Sequence, residues 1–136
     1  MGAWGTDSFA NDDAMDWVGD LESSADLRVV RAALDEVLNA DGYLDAGIGC
    51  VGLAAAEVVA ALNGQGAAYL PEDVTAWVTA RRAQRDPALA ERARATVARI
   101  ADAEHRSELR DLWEEAAPED RDAWRASVED LRTRLG

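Results

Sequence analysis

The chain has no lysine: all fourteen of its basic residues are arginine. Together with abundant alanine and aspartate, this reads as a high-GC coding bias and not as a functional signal. Cations are also scarce, with 14 against 27 acids and a net charge of −13. That balance argues against nucleic acid, because phosphate recognition needs clustered positive charge. It argues equally against an anionic membrane surface. A single cysteine, Cys50, excludes an internal disulfide, and its setting GIGCVGLAAA predicts a buried, inert thiol. A single histidine, His105, lies in polar AEHRSEL with no second His or Cys nearby, so a zinc site lacks ligands and His105 is expected to be exposed. Only three prolines occur and no Ser/Gly-rich linker divides the chain, so one domain over residues 1–136 is expected. Asp7, Asp12 and Asp13 interrupt any hydrophobic leader, and the expected compartment is the cytoplasm.

Hydrophobic residues make up 49% of the 136 residues, enough for a sizeable core. The acidity is uneven. Residues 1–45 carry eleven acids and two arginines, residues 46–70 carry only Glu57, and residues 71–136 carry fifteen acids and twelve arginines. The opening MGAWGT matches the pattern for N-myristoylation. One acyl chain is a marginal anchor without a polybasic patch, and the charge nearby is negative, so acylation is set aside.

Periodicity is helical throughout, with no clean period-two alternation. A first helix starts at Asn11 as N-cap, with Asp12 and Asp13 at the positive end of its dipole and Ala14, Trp17, Val18 and Leu21 on one apolar face. A second covers residues 23–39, opened by Ser23 with Asp26 in the manner of a capping box and ended by Asp41-Gly42. A third, residues 46–62, is apolar nearly all round and therefore central, and Asn63-Gly64 closes it. Pro71 opens a fourth with Val74, Trp77 and Val78; Asp86-Pro87 opens a fifth with Leu89, Ala93, Val97 and Ile100. Ser107 caps a sixth with Leu109, Leu112 and Trp113, either separate from the fifth or one kinked helix with it. Pro118 opens a seventh with Trp124, Val128, Leu131 and Leu135. The expected fold is all-α, a compact, orthogonal or irregular bundle of six to seven short helices around helix 46–62.

Motifs for chemistry are few. NADGYLD (39–45) resembles half a calcium loop, but position one would be Val37 and position twelve Ile48, so a helix-stop turn explains it. GIGCVG lacks the strand and lysine of a phosphate loop. No serine sits in a nucleophile elbow, and Cys50 has no base beside it. No catalytic, cofactor-binding or metal residue is assigned and no cofactor is expected. Glu57 is the odd residue, the one charge between Asp45 and Glu72. Either its narrow face reaches solvent, or it is buried and paired with an arginine, an indole N–H or the chain's amino terminus, or it serves catalysis or a metal. Arg81, Arg82 and Arg85 form the one basic cluster, placed to dock on the acidic first helix.

MGAWG, then Phe9, Asn11-Asp12-Asp13-Ala14 and Asp16-Trp17, resemble the signature of an uncharacterised bacterial domain-of-unknown-function family. Further matches are Tyr43-Leu44, Ala54 to Ala60 around Glu57, Leu70-Pro71, Trp77-Val78, Ser107-Glu108-Leu109, Leu112 to Glu115, Trp124 and Leu131-Arg132. Asp7 departs from the pattern, which often has a small or apolar residue there. The family has no established activity, so the resemblance implies none. It does imply that Trp4, Asp12, Asp13, Asp16, Trp17 and Glu57 belong to one recurring pattern.

Three readings follow. The leading one is a small acidic module that binds a basic protein partner, as an inhibitor or immunity-type factor does, through the first helix. There Asp12, Asp13, Asp16 and Asp20 share an arc of about 100°, and acids at i, i+4 repel by roughly 0.2–0.5 kcal/mol per pair. Asp20 also sits at the unfavourable end of the helix dipole. The second reading is an enzyme or metal-dependent module in which Asp12, Asp13, Asp16 and Glu57 converge under the Trp4 loop. The third is a structural domain whose opening motif locks the fold. Trp4, Phe9 and Trp17 read as plugs that fix the start of the chain onto the bundle. On that basis Trp4→Ala lowers stability, by ~3–5 kcal/mol for a fully buried ring, in denaturant titration. An unchanged melting temperature would make Trp4 a binding residue instead.

Overall fold

Alanine and glycine leave little side-chain bulk along residues 46–62, so neighbours can approach that helix from every side. The computed structural model, which describes residues 5–102, 104 and 106–136, shows that they do. Seven α-helices follow in order: α1 (Asp12–Glu22), α2 (Arg28–Leu38), α3 (Ala46–Leu62), α4 (Glu72–Arg81), α5 (Pro87–Ile100), α6 (Glu108–Glu114) and α7 (Pro118–Leu135). A 3-10 turn, Arg82–Gln84, extends α4. No strand occurs among the described residues; Leu44 and Ser107 form one isolated bridge. Every other helix packs on α3.

The closest approach is at Gly52. A Cβ there would lie 2.6 Å from Val37 Cγ2 and 3.0 Å from Ile100 Cδ1, so α2 and α5 both need a bare backbone at this point. Thirteen of the seventeen α3 residues are buried, Glu57 among them. Leu34, Val37, Val97, Ile100, Leu109 and Leu131 bring the apolar faces of four other helices into the same core.

The helix ends follow local chemistry. Asn11 Oδ1 accepts from Ala14 N at 2.8 Å, and Asp45 Oδ2 accepts from Ile48 N at 3.1 Å. Asp86 and Ser107 cap α5 and α6 through their side chains. Pro71 stands one residue outside α4 as its N-cap, whereas Pro118 lies in the first turn of α7. Helix α3 stops with Gly64 at φ +81, Gln65 N donating to Ala60 O and Gly64 N to Ala61 O. This paired arrangement needs a left-handed residue and satisfies the last carbonyls.

Two expectations are resolved differently from the simplest reading. Ser23 does not open α2. It caps the end of α1, with its N–H and hydroxyl both turned to Gly19 O. Helix α2 begins only at Arg28, whose N–H is held by Asp26 Oδ1 at 3.0 Å. Its Ser-x-x-Asp pattern therefore straddles a turn, because Ser24 and Ala25 supply carbonyls to other elements. Helices α5 and α6 are separate: Ile100 ends one and Glu108 begins the next. Leu44 pins the start of α6, accepting from Glu108 N at 2.9 Å and donating to Arg106 O at 2.8 Å. Trp113 and Trp124 then stack at 6.2 Å between α6 and α7.

Gly52→Ala should lower stability by about 1–2 kcal/mol, the strain of an extra methyl outweighing the gain in helix propensity. Urea unfolding read by tryptophan fluorescence checks this. An increase in midpoint would show that Val37 and Ile100 give way freely.

Candidate functional site

Glu57 is 3% exposed, so its charge must be met inside the fold. Two distant segments meet it. The loop before α1 places Ser8 so that its hydroxyl donates to Glu57 Oε2 at 2.9 Å. Asn11 holds that loop in place, its Nδ2 donating to Ser8 O at 3.2 Å while its Oδ1 caps α1. From the far end of the chain, α7 brings Arg134 Nη1 to 2.8 Å from Glu57 Oε1. Arg134 also donates from Nη1 to Gln65 O at 3.1 Å and from Nε to Asp130 Oδ2 at 2.8 Å. Its guanidinium is thus held by two carboxylates and one main-chain carbonyl. Burial opposes the charge on Arg134, but Glu57 and Asp130 more than offset this and raise its pKa above the usual value.

The ion pair is close but not aligned. Glu57 Oε1 is shut off from solvent and receives no well-directed hydrogen bond, despite the 2.8 Å approach of Arg134. The short distance gives the Coulombic attraction; the absence of an aligned N–H leaves acceptor capacity unmet. Beside this pair lies a cleft of 350 Å³, lined by Glu57, Arg134, Asp130, Asp7, Ser127 and the exposed Tyr69 among others. The carboxylates that share the cleft with Glu57 are therefore Asp7 and Asp130. Sequence reasoning singled out neither as a site residue. The i, i+4 spacing of Asp130 and Arg134 was the available signal for one of them, and Asp7 stood out only as the departure from the family pattern.

The aspartates of α1 do not enter this cleft. Asp12, Asp13, Asp16 and Asp20 are all exposed. Asp13 lies at the start of α3, 3.5 Å from where a Cβ on Gly47 would stand. Gly47 and Glu57 are ten residues apart on one helix, which is about 15 Å. Among the described residues no group of three His, Cys, Asp or Glu could hold a metal ion. Trp17, in contrast, is 7% exposed and packs in the core beneath the acidic face. Trp4 and His105 lie outside the described residues.

A second concavity, 540 Å³ in volume and wide open, runs alongside α1. Trp17, Val29, Ala33 and Val51 supply apolar surface, and Asp20 and Glu36 add acidic groups. At the end of α1, Glu22 neighbours Asp73 at the start of α4; the hydrogen bond a protonated Glu22 can give Asp73, and then the like charge, raise the Glu22 carboxyl above its usual range. The counter-charge expected from Arg81, Arg82 and Arg85 is not delivered to the α1 aspartates. Arg81 donates to the carbonyls of Ser24 at 2.9 Å and Ala25 at 3.3 Å, with its Cζ 4.6 Å from the Trp77 ring. The connection between α1 and α2 has left those carbonyls free, and the guanidinium satisfies them. Arg82 and Arg85 are exposed.

The remaining sequence motifs are structural. Gly42, at φ +71, turns the NADGYLD segment, and its carbonyl accepts from Arg99 Nη2 at 2.6 Å. Cys50 is buried, and burial first, then Asp13 and Asp45, push its thiol up to about 12. It is no nucleophile at neutral pH.

Removing one partner of the buried pair leaves the other uncompensated. Arg134→Met is expected to cost about 3–5 kcal/mol, and the double variant Glu57→Met/Arg134→Met to recover most of that loss. Chemical denaturation of the three proteins checks it. Additive losses in the double variant would mean that the pair is not coupled.

No curated protein and no solved structure matches the chain. A family model described as a domain of unknown function (DUF4259) matches residues 2–127. Nearly the whole of the fold described above lies within that span, and the chain belongs to this family.

Proposed function

We propose that this protein is a protein-binding module that engages a basic partner through the acidic face of α1 and the groove beside it. One observation carries the reading. Asp12, Asp13, Asp16 and Asp20 stand exposed without an ion pair to any described residue, and Asp20 borders an apolar hollow that Trp17 and Val51 help to line. The mutual repulsion of such acids is a local cost that a partner's cations would relieve. The hollow offers what charge alone lacks, a seat for one large apolar side chain flanked by Arg or Lys. An inhibitor or immunity-type factor works by masking a basic surface in this way. We place this activity in the cytoplasm, where a lone unpaired thiol such as Cys50 stays reduced.

The purely structural reading has support of its own, from a different part of the opening motif. Ser8, Phe9, Asn11 and Trp17 are buried, and Ser8 and Asn11 are committed to hydrogen bonds inside the fold. That accounts for these residues without a partner. It leaves Asp16 and Asp20 unexplained.

The immobilised protein should retain a stoichiometric partner at low salt, with an association rate that falls steeply as ionic strength rises. Asp16→Arg/Asp20→Arg should abolish the complex by charge, and Ala32→Trp should abolish it by filling the hollow. Both changes are at exposed positions, so the melting temperature should hold. No partner at either salt, or a partner indifferent to both variants, would sink the proposal.

A further inference from the structure

The cleft at Glu57 is separate from the α1 surface and differs from it in kind. It is bounded by the loop before α1, the loop between α3 and α4, and one face of α7. Its 350 Å³ falls in the range of small-molecule sites. Small residues keep it open: Ala67 and Ala68 on one side, Ala123 and Ala126 on the other.

Its charge is lopsided. Three acidic residues, Glu57, Asp7 and Asp130, and one arginine, Arg134, are among its lining. Arg134 is already engaged by Glu57, Asp130 and the Gln65 carbonyl. An anion entering here would compete with these three for the Nη1 and Nε donors. Acceptors, in contrast, are in excess. Glu57 Oε1 is buried without a directed hydrogen bond. Asp130 is 65% exposed at its side chain and gives one oxygen to Arg134. Ser127 and Thr6 add hydroxyls to the lining. Tyr69, 88% exposed on a Gly/Ala loop, is among the residues lining the same cleft. An aromatic ring beside acidic groups attracts a cation through both charge and quadrupole.

We propose that this cleft binds a small organic cation, an alkylammonium or alkylguanidinium compound. The cationic head sits between Asp130 and Asp7 against the Tyr69 ring, and the aliphatic chain lies along the alanines of α7. Glu57 and Arg134 form the fixed floor. Their pairing neutralises the deepest charge, so the outer carboxylates select the ligand's sign.

Agmatine and spermidine are suitable probes, with glutarate as an anionic control, in calorimetry and amide chemical-shift titration of the whole protein. Agmatine or spermidine should bind with one-to-one stoichiometry and shift the amides of residues 66–70 and 123–130. Asp130→Asn should weaken binding by about 10- to 100-fold, the loss of one charge-assisted contact. Tyr69→Ala should weaken it by about 2- to 5-fold, as expected for an exposed cation–π contact. Both positions are exposed, so both variants should fold. Asp16→Asn/Asp20→Asn should leave binding unchanged, which separates a built site from general attraction to a chain of charge −13. Three outcomes would overturn the proposal. They are no saturable binding of either amine, equal weakening by the α1 and α7 variants, and tighter binding of glutarate than of the amines.

Discussion

Burying Glu57 in an alanine-lined helix obliges two distant segments to come to it. A carboxylate at the centre of a core is costly unless matched by charge and hydrogen bonds. Ser8 reaches it from 49 residues upstream and Arg134 from the last turn of α7. The pair thus fastens both ends of the described chain to the middle helix. Asn11 extends the arrangement, because one amide both starts α1 and holds the Ser8 carbonyl. Gly64 extends it at the other end of α3, where the left-handed turn presents the Gln65 carbonyl to Arg134. Buried ion pairs add little net stability compared with apolar packing. What this one provides is a tie between distant segments: the Ser8 loop and α7 both close on Glu57.

The packing of α3 sets the second constraint. Its small residues let six helices crowd around one, and Gly52 marks where the crowding leaves no room for a methyl group. A helix so thoroughly covered reaches the surface only sparingly, as where Val51 and Glu57 help to line two concavities. Surfaces available for partners therefore fall to the outer helices and loops: the acidic side of α1, the loop bearing Tyr69, and the outward face of α7.

Acidity is divided among three uses. Asp13, Asp45 and Glu108 gather at the start of α3, where Asp45 and Glu108 accept from its free N–H groups and a helix dipole favours negative charge. Asp35, Glu114 and Asp130 pair with arginines from their own or neighbouring helices, and Asp102 pairs with Arg106 within the α5–α6 connection. Asp12 sits in the first turn of α1, where the dipole favours it; Asp16 and Asp20 have neither use, and Asp20 borders the groove beside Trp17.

The sequence by itself determined the helices, since caps and breakers act within a few residues: Asn11, Asp45, Asp86, Ser107 and Pro118 each mark a boundary where local chemistry requires one. It determined the central place of residues 46–62, because a helix without a polar face has nowhere else to go. It also flagged Glu57 as a charge needing an explanation. Which of the possible partners met Glu57 was decided only by tertiary structure, because several arginines were available and nothing local singled out Arg134. Ser23 illustrates a related point: a serine between two helices can cap either, and here it closes α1. The cleft holding Asp7 and Asp130 was invisible in the sequence, as its walls come from three segments far apart along the chain. Local hydrogen bonding is written in short words that sequence spells out; the meeting of distant side chains depends on how whole helices pack.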